Sequence, residues 1–260
     1  MEYFITVEPG VRVFVQDLNP TGKKTILFIH GWPLSHKQYE YQFNILPAMG
    51  IRCIGMDWRG FGNSDKPFVG YSLDRLADDI RILIETLKLK DITLAGHSAG
   101  GALAIRYMAR HQSHGVSKLV LIDAQAPGSV PQQAANMFIE GTLTDRPNML
   151  AGLPDSFFFK HITGPFSDWF FQIGLQGAGW STAAVMVTLR DENVRNDLGK
   201  ISMPTLIIHG VHDQVVPFVN AQETNKLIHN SVLVPFQNSG HVPFLDEKDK
   251  FNQLLMQFVE

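Results

Sequence analysis

Thr93-Leu94-Ala95-Gly96-His97-Ser98-Ala99-Gly100-Gly101 decides how the rest of the chain is read. It joins an apolar run, Asp91-Ile92-Thr93-Leu94-Ala95, to a helix-like run, Gly101-Ala102-Leu103-Ala104-Ile105-Arg106-Tyr107-Met108. A serine therefore falls at the hinge between an expected strand and an expected helix, with a glycine two residues to either side. That spacing is the pattern of a nucleophile elbow, a sharp turn that holds a hydroxyl above a sheet. Gly96 and Gly100 suit a turn too tight for side chains. A helix starting just after Ser98 also aims its free N–H groups at developing negative charge. Taken alone, the same residues equally suit a Gly/Ser connector without chemistry, so the flanking chain has to decide.

Working outward, Phe4-Ile5-Thr6-Val7 and Val11-Arg12-Val13-Phe14-Val15 flank Pro9-Gly10, which reads as a β-hairpin. Thr25–His30 is continuously apolar, like a strand buried on both faces. Residues 36–48 are weakly helical, and Ile51–Met56 is the next strand, ending at Asp57. Between Ser72 and Leu87, Leu73, Leu76, Ala77, Ile80, Leu83, Ile84 and Leu87 fall at helical spacing. Asp74, Asp78, Asp79, Arg81 and Glu85 take the other side. After the elbow comes a strand over 117–123, and 204–209 and 231–236 resume the pattern, with helices near 217–229 and 246–258. The stretch 124–200 differs: rich in Phe, Gly and Pro, it reads as a helical cap with short helices near 131–140, 165–175 and 180–190.

The expected architecture is α/β: a mostly parallel eight-stranded sheet with helices on both faces. One domain is expected, with its core at 1–123 and 201–260 and the cap at 124–200.

Composition narrows the function. With 260 residues, 45% hydrophobic and 18% charged, the chain can bury a sizeable core. A net charge of −3 and no run of Lys or Arg longer than two exclude nucleic acid or an anionic membrane as the main partner. The one cysteine, Cys53, cannot close an intrachain disulfide and reads as a core residue. The acidic N-terminus lacks the features of a signal peptide, and no apolar run is long enough to span a bilayer. The expected setting is cytoplasmic. Homo-oligomerisation stays open.

In open parallel sheets chemistry gathers at the carboxyl ends of the strands. Those ends carry His30-Gly31-Trp32, Asp57, Ser98, Asp123, Asp213 and, after the last strand, Gln237-Asn238-Ser239-Gly240-His241. Ser98 is a weak nucleophile without a base. A histidine could take its proton while a buried carboxylate fixes the imidazole tautomer. His241 is the best-placed base and Asp213 the best-placed acid, in the order nucleophile, acid, histidine. Asp123 stays open as an alternative acid. Asp57 reads as part of a hydrogen-bonded turn, and His30 as a support for the loop that follows it. His97 neighbours the nucleophile but is expected to point the other way, and His212 is not expected to serve as base. His36, His111, His114, His161, His209 and His229 are expected on surfaces or helix ends. His209, His212 and Asp213 are expected to be scattered by strand and loop geometry. With one cysteine and no His-Glu-x-x-His motif, neither a metal nor any other cofactor is expected.

These motifs together resemble α/β-hydrolase-fold enzymes. The resemblance is strongest to the branch of small bacterial carboxylesterases, perhydrolases and cofactor-free haloperoxidases. It rests on His30-Gly31-Trp32-Pro33, Asp57-Trp58-Arg59-Gly60-Phe61-Gly62-Asn63-Ser64-Asp65, Gly96–Gly101, His209-Gly210-Val211-His212-Asp213-Gln214-Val215-Val216-Pro217 and Ser239-Gly240-His241. It implies an oxyanion hole formed by the backbone N–H groups of Trp32 and Ala99, such donors lowering a barrier by about 3–4 kcal/mol each. Ala99 stands where members often carry Met, and Trp58 where they often carry Arg.

The function expected is a serine hydrolase cleaving small, fairly apolar carboxylic esters through Ser98, Asp213 and His241. Lactonase, amidase or carbon–carbon hydrolase chemistry on the same triad remains open. So do a perhydrolase or haloperoxidase side activity and, more remotely, a receptor that binds a small ligand without turnover. The cap aromatics Phe157, Phe158, Phe159, Phe166, Trp169, Phe170, Phe171 and Trp180 serve the insertion's own core, an apolar pocket over Ser98, or both.

Overall fold

Apolar runs long enough to be strands, separated by amphipathic helices, leave few ways to bury both. The computed structural model, which describes residues 1–260, shows the solution this chain adopts. In chain order the elements are β1 (Glu2–Glu8), β2 (Val11–Leu18), β3 (Lys24–Ile29), α1 (Glu40–Phe43), β4 (Ile51–Asp57), α2 (Leu73–Thr86), β5 (Ile92–His97), α3 (Ala99–Arg110) and β6 (Val116–Ile122). Six helices follow: α4 (Gln132–Thr144), α5 (Arg146–Ala151), α6 (Leu153–Phe157), α7 (Gly164–Leu175), α8 (Gly179–Asp191) and α9 (Arg195–Leu198). The chain then closes with β7 (Thr205–Gly210), α10 (Phe218–Leu227), β8 (Ser231–Phe236), α11 (Pro243–Asp246) and α12 (Lys248–Val259).

The strands form one eight-stranded sheet in the order β1-β2-β4-β3-β5-β6-β7-β8. The β1–β2 hairpin is antiparallel and lies antiparallel on β4, whereas every pair from β4–β3 to β7–β8 is parallel. Burial follows position. Every residue of β5 and β7 is buried, as a strand covered on both faces requires. The edge strands β1 and β8 expose alternate or partial faces, including Phe4 and Val232. Cys53 lies fully buried and free in β4.

α2 follows its expected periodicity, with Ser72 as N-cap and Leu73, Leu76, Ala77, Ile80, Leu83 and Ile84 buried. Asp79 corrects the assignment of all its acids to the outer side. It is fully buried, bound bidentate by Arg59 at 2.6 and 2.8 Å. Residues 36–49 form two 3₁₀ turns flanking α1 rather than one helix. Between β6 and β7, α5, α6 and α9 add to the three expected helices; each is six residues or fewer, too short for a periodic pattern to show. No helix is long and apolar enough to cross a membrane.

Candidate active site

The turn from β5 into α3 places Ser98 at φ 53° and ψ −121°, a backbone region that non-glycine residues avoid and that concentrates at functional sites. The flanking glycines make it attainable. A Cβ on Gly96 would run into the Gly100 carbonyl, and one on Gly100 into the His30 carbonyl. The loop after β3 therefore packs directly on the elbow. The Cβ position of Gly31 lies 3.2 Å from Ser98 Cβ. Ala99 opens α3, so no carbonyl one turn back can accept its N–H. Neither Ala99 N–H nor Trp32 N–H hydrogen-bonds elsewhere in the protein.

His241 and Asp213 arrive from the loops after β8 and β7. His241 Nδ1 bonds Asp213 Oδ2 at 2.7 Å, and Asp213 Oδ1 accepts the N–H groups of Val215 and Val216 at 2.7 and 2.9 Å. Burial pushes the Asp213 carboxyl up, but His241 and His209 outweigh it and hold it well below the usual carboxylate range. His241 is fully buried, and its other ring nitrogen, Nε2, has no partner. The His241 backbone is fixed twice: its N–H donates to Phe157 O at 2.7 Å and its carbonyl accepts from His97 Nε2 at 2.7 Å.

His97 Nε2 is thus engaged by the His241 carbonyl, and the two rings lie 4.8 Å apart. Gln38, which sequence reasoning missed, completes this support. It accepts the Gly31 N–H at 3.1 Å and meets His97 Nδ1 at 3.2 Å. One chain of contacts therefore ties the loop after β3, the elbow and the histidine loop together. A glutamine sixty residues away carries no local signal of that role.

The other assignments sort cleanly. His30 supports its loop, with Nδ1–H on Gly31 O at 2.9 Å and Nε2 accepting from Trp58 N–H at 3.3 Å. Asp57 accepts from His36 N, His36 Nδ1 and Asn63 N, the hydrogen-bonded turn expected of it. His212 is exposed and stacks on Phe159 with ring centroids 3.9 Å apart. His209 corrects the assignment to surfaces or helix ends, while His36 opens a 3₁₀ turn, at a helix end as expected, although it is buried. His36 is buried on Asp57, and His209 is buried on β7 with Nε2 2.8 Å from Val216 O and 3.3 Å from Asp213 Oδ2. The expected scattering of His209 from Asp213 is thereby also corrected, because Asp213 turns back over the end of its own strand. Asp123 makes no hydrogen bond to His241; its Oδ1 accepts the Gly210 N–H at 2.8 Å. Asp123, Asp213 and His241 each bring one donor atom within 4.8 Å of the others, close enough to hold an ion, but His241 Nδ1 and Asp213 Oδ2 already face each other across a hydrogen bond.

Among the cap aromatics, Phe157 sits edge-on to the His241 ring at 4.8 Å. Phe158, Phe166, Trp169 and Phe170 pack mainly on one another. Trp180 lies out at the surface beside Phe68. The cap meets the site from the other side through Trp32, whose Nε1 donates to Thr182 O at 2.8 Å and whose ring meets Phe138.

A mostly parallel sheet, a positive-φ serine at a strand–helix elbow and a histidine–carboxylate pair from the last two strand ends together define an α/β hydrolase. The chain belongs to that family, in its esterase- and haloperoxidase-like branch: the profile described as alpha/beta hydrolase fold matches residues 24–156. It is 44% identical to the AB hydrolase superfamily protein YisY of Bacillus subtilis, over 99% of both chains. It is 31% identical to a non-heme haloperoxidase of Rhodococcus erythropolis, again over 99% of each. Among solved structures, an esterase from Exiguobacterium antarcticum superposes with a TM-score of 0.95 at 38% identity, covering 100% of this chain and 99% of that one. The protein is a hydrolase.

Proposed function

We propose that this hydrolase cleaves small, fairly apolar carboxylic esters through an acyl-enzyme on Ser98. The observation that carries the reading is His241: one ring nitrogen is locked on a carboxylate and the other is left unpartnered in a buried site. An imidazole so held can serve as a general base through Nε2.

Ser98 Oγ attacks the ester carbonyl carbon and its proton passes to His241 Nε2. The former carbonyl oxygen, now negative, accepts the free N–H groups of Trp32 and Ala99. Asp213, ionised, stabilises the imidazolium. The tetrahedral intermediate expels the alcohol, which takes the proton back from His241. Water then repeats the sequence on the acyl-serine, and the carboxylic acid leaves. Low exposure of Ser98 at 8% and of His241 at 0%, with Trp32 and Phe157 close by, favours compact apolar acyl groups. The name of the Exiguobacterium relative supports the ester reading. That of the Rhodococcus relative supports a haloperoxidase side activity as a second reading.

Ser98→Ala is expected to abolish turnover of a short p-nitrophenyl ester while the circular dichroism spectrum stays unchanged. Turnover surviving in a folded Ser98→Ala protein would rule the assignment out. A single slow turnover with tight binding in the wild type would instead favour a receptor, and a panel of lactones and amides separates neighbouring chemistries.

A further inference from the structure

Asp123 is a buried carboxyl group that the reaction above does not use. It follows directly after β6 at φ 43° and is fully buried. Oδ1 is satisfied by the Gly210 N–H at 2.8 Å, but buried Oδ2 meets no donor. A carboxylate oxygen in that position would carry an uncompensated desolvation cost. The neighbouring Asp213 faces the opposite circumstances. Its two oxygens receive Val215 N–H, Val216 N–H and His241 Nδ1–H, with His209 Nε2 at 3.3 Å. Oxygens of the two acids lie within 4.8 Å of each other, and like charges at that distance in a buried site do not both ionise.

We propose that Asp123 is held as a neutral carboxylic acid whose proton is directed onto the Asp213 carboxylate, making it a positioning residue behind the Asp213–His241 pair. This rests on the reading of those two residues as acid and base. The remaining groups around Asp123 fit the same distribution of protons. His209 aims Nε2 at Val216 O, 2.8 Å away, and lies 3.7 Å from Asp123 Oδ1 rather than serving Oδ2. Asp246, the next acid out, has its own donors in Gly240 N–H and Phe159 N–H. Burial, and then the Asp213 charge, push the Asp123 carboxyl well above its ordinary range.

The arrangement bears on the base. An ionised Asp123 would place a second negative charge beside Asp213 and His241 without giving its own Oδ2 a donor. A neutral donor instead satisfies Asp213, fixes its rotamer and moderates its pull on His241.

The test compares Asp123→Asn, whose amide keeps both an acceptor for Gly210 and a donor for Asp213, with Asp123→Ala. Asparagine is expected to hold kcat within about threefold of wild type, with the acid limb of the kcat/KM profile unmoved. Alanine is expected to lower kcat roughly tenfold at unchanged KM and to move that limb to higher pH. Asparagine losing as much as alanine would show that the charged form is needed and would overturn the proposal. A second arm needs no turnover. In the Ser98→Ala protein at neutral pH, infrared difference spectra against Ser98→Ala/Asp123→Asn should isolate the carbonyl stretch of one protonated carboxyl group. Equal spectra would overturn the proposal whatever the kinetics give. If wild-type protein turns over no ester yet the band is present, the hydrolase reading fails while the shared proton stands.

Discussion

At the scale of single residues, His30 shows how a buried side chain couples the site to pH. Its ring is wholly enclosed, and burial pushes its pKa down from 6.5 to about 4. The hydrogen bonds give the same answer independently. Nε2 accepts from Trp58 N–H, so adding a proton there would set donor against donor. The folded state thus refuses a proton that the unfolded chain accepts below about 6.5, and the stability this contributes is present above that pH and lost as pH falls toward about 4. The melting temperature is expected to fall across that window, and less steeply in His30→Asn. Equal slopes in the two proteins would mean His30 titrates freely. Ser98, Asp213 and His241 were legible as candidates because each lies in the turn or loop that follows an apolar run readable as a strand. Gln38, His209 and the inward turn of His97 were not. Gln38 and His97 meet partners dozens of residues away, and His209 meets Val216 and Asp213 only because the loop after β7 turns back over its strand; a polar residue's sequence neighbours do not say whether it is buried against a carbonyl.

At the scale of elements, long strands and α2 declared themselves by apolar periodicity, and the elbow by its glycines. Asp79 marks the limit of that signal. It occupies a polar position in the helical pattern, but Arg59 from the loop after β4 reaches it, and the pair is shielded to 1% and 0% side-chain exposure. Arg75 adds a second contact to Asp79 at 2.6 Å. Removing Arg59 would leave a buried carboxylate with much of its compensation gone, at a cost of about 3–5 kcal/mol. Arg59→Met is therefore expected to lower the melting temperature by about 10 °C, and adding Asp79→Leu to recover part of the loss. A melting temperature equal to wild type in the single variant would show the pair to be dispensable. The helices between β6 and β7 were only partly legible for a related reason. α5 and α6 are set by proline positions and by packing on α7, not by a stripe long enough to read.

At the scale of the whole molecule, alternating strands and helices implied parallel order, and parallel order brings the strand ends to one edge. That inference grouped the candidate residues at one edge before any distance was known. Which aromatics between β6 and β7 reach that edge was not legible, because aromatic residues look the same whether they pack on each other, as Phe158 and Phe170 do, or against His241, as Phe157 does. The central claim is that this edge converts Ser98 into an acylated intermediate. Acid-quenching the enzyme within the first turnovers of a p-nitrophenyl ester and weighing its peptides by mass spectrometry tests it directly. The expected result is an added acyl mass on the peptide containing Ser98, absent from Ser98→Ala. Ester turnover with no acyl mass on that peptide, or with the mass on another residue, would contradict it.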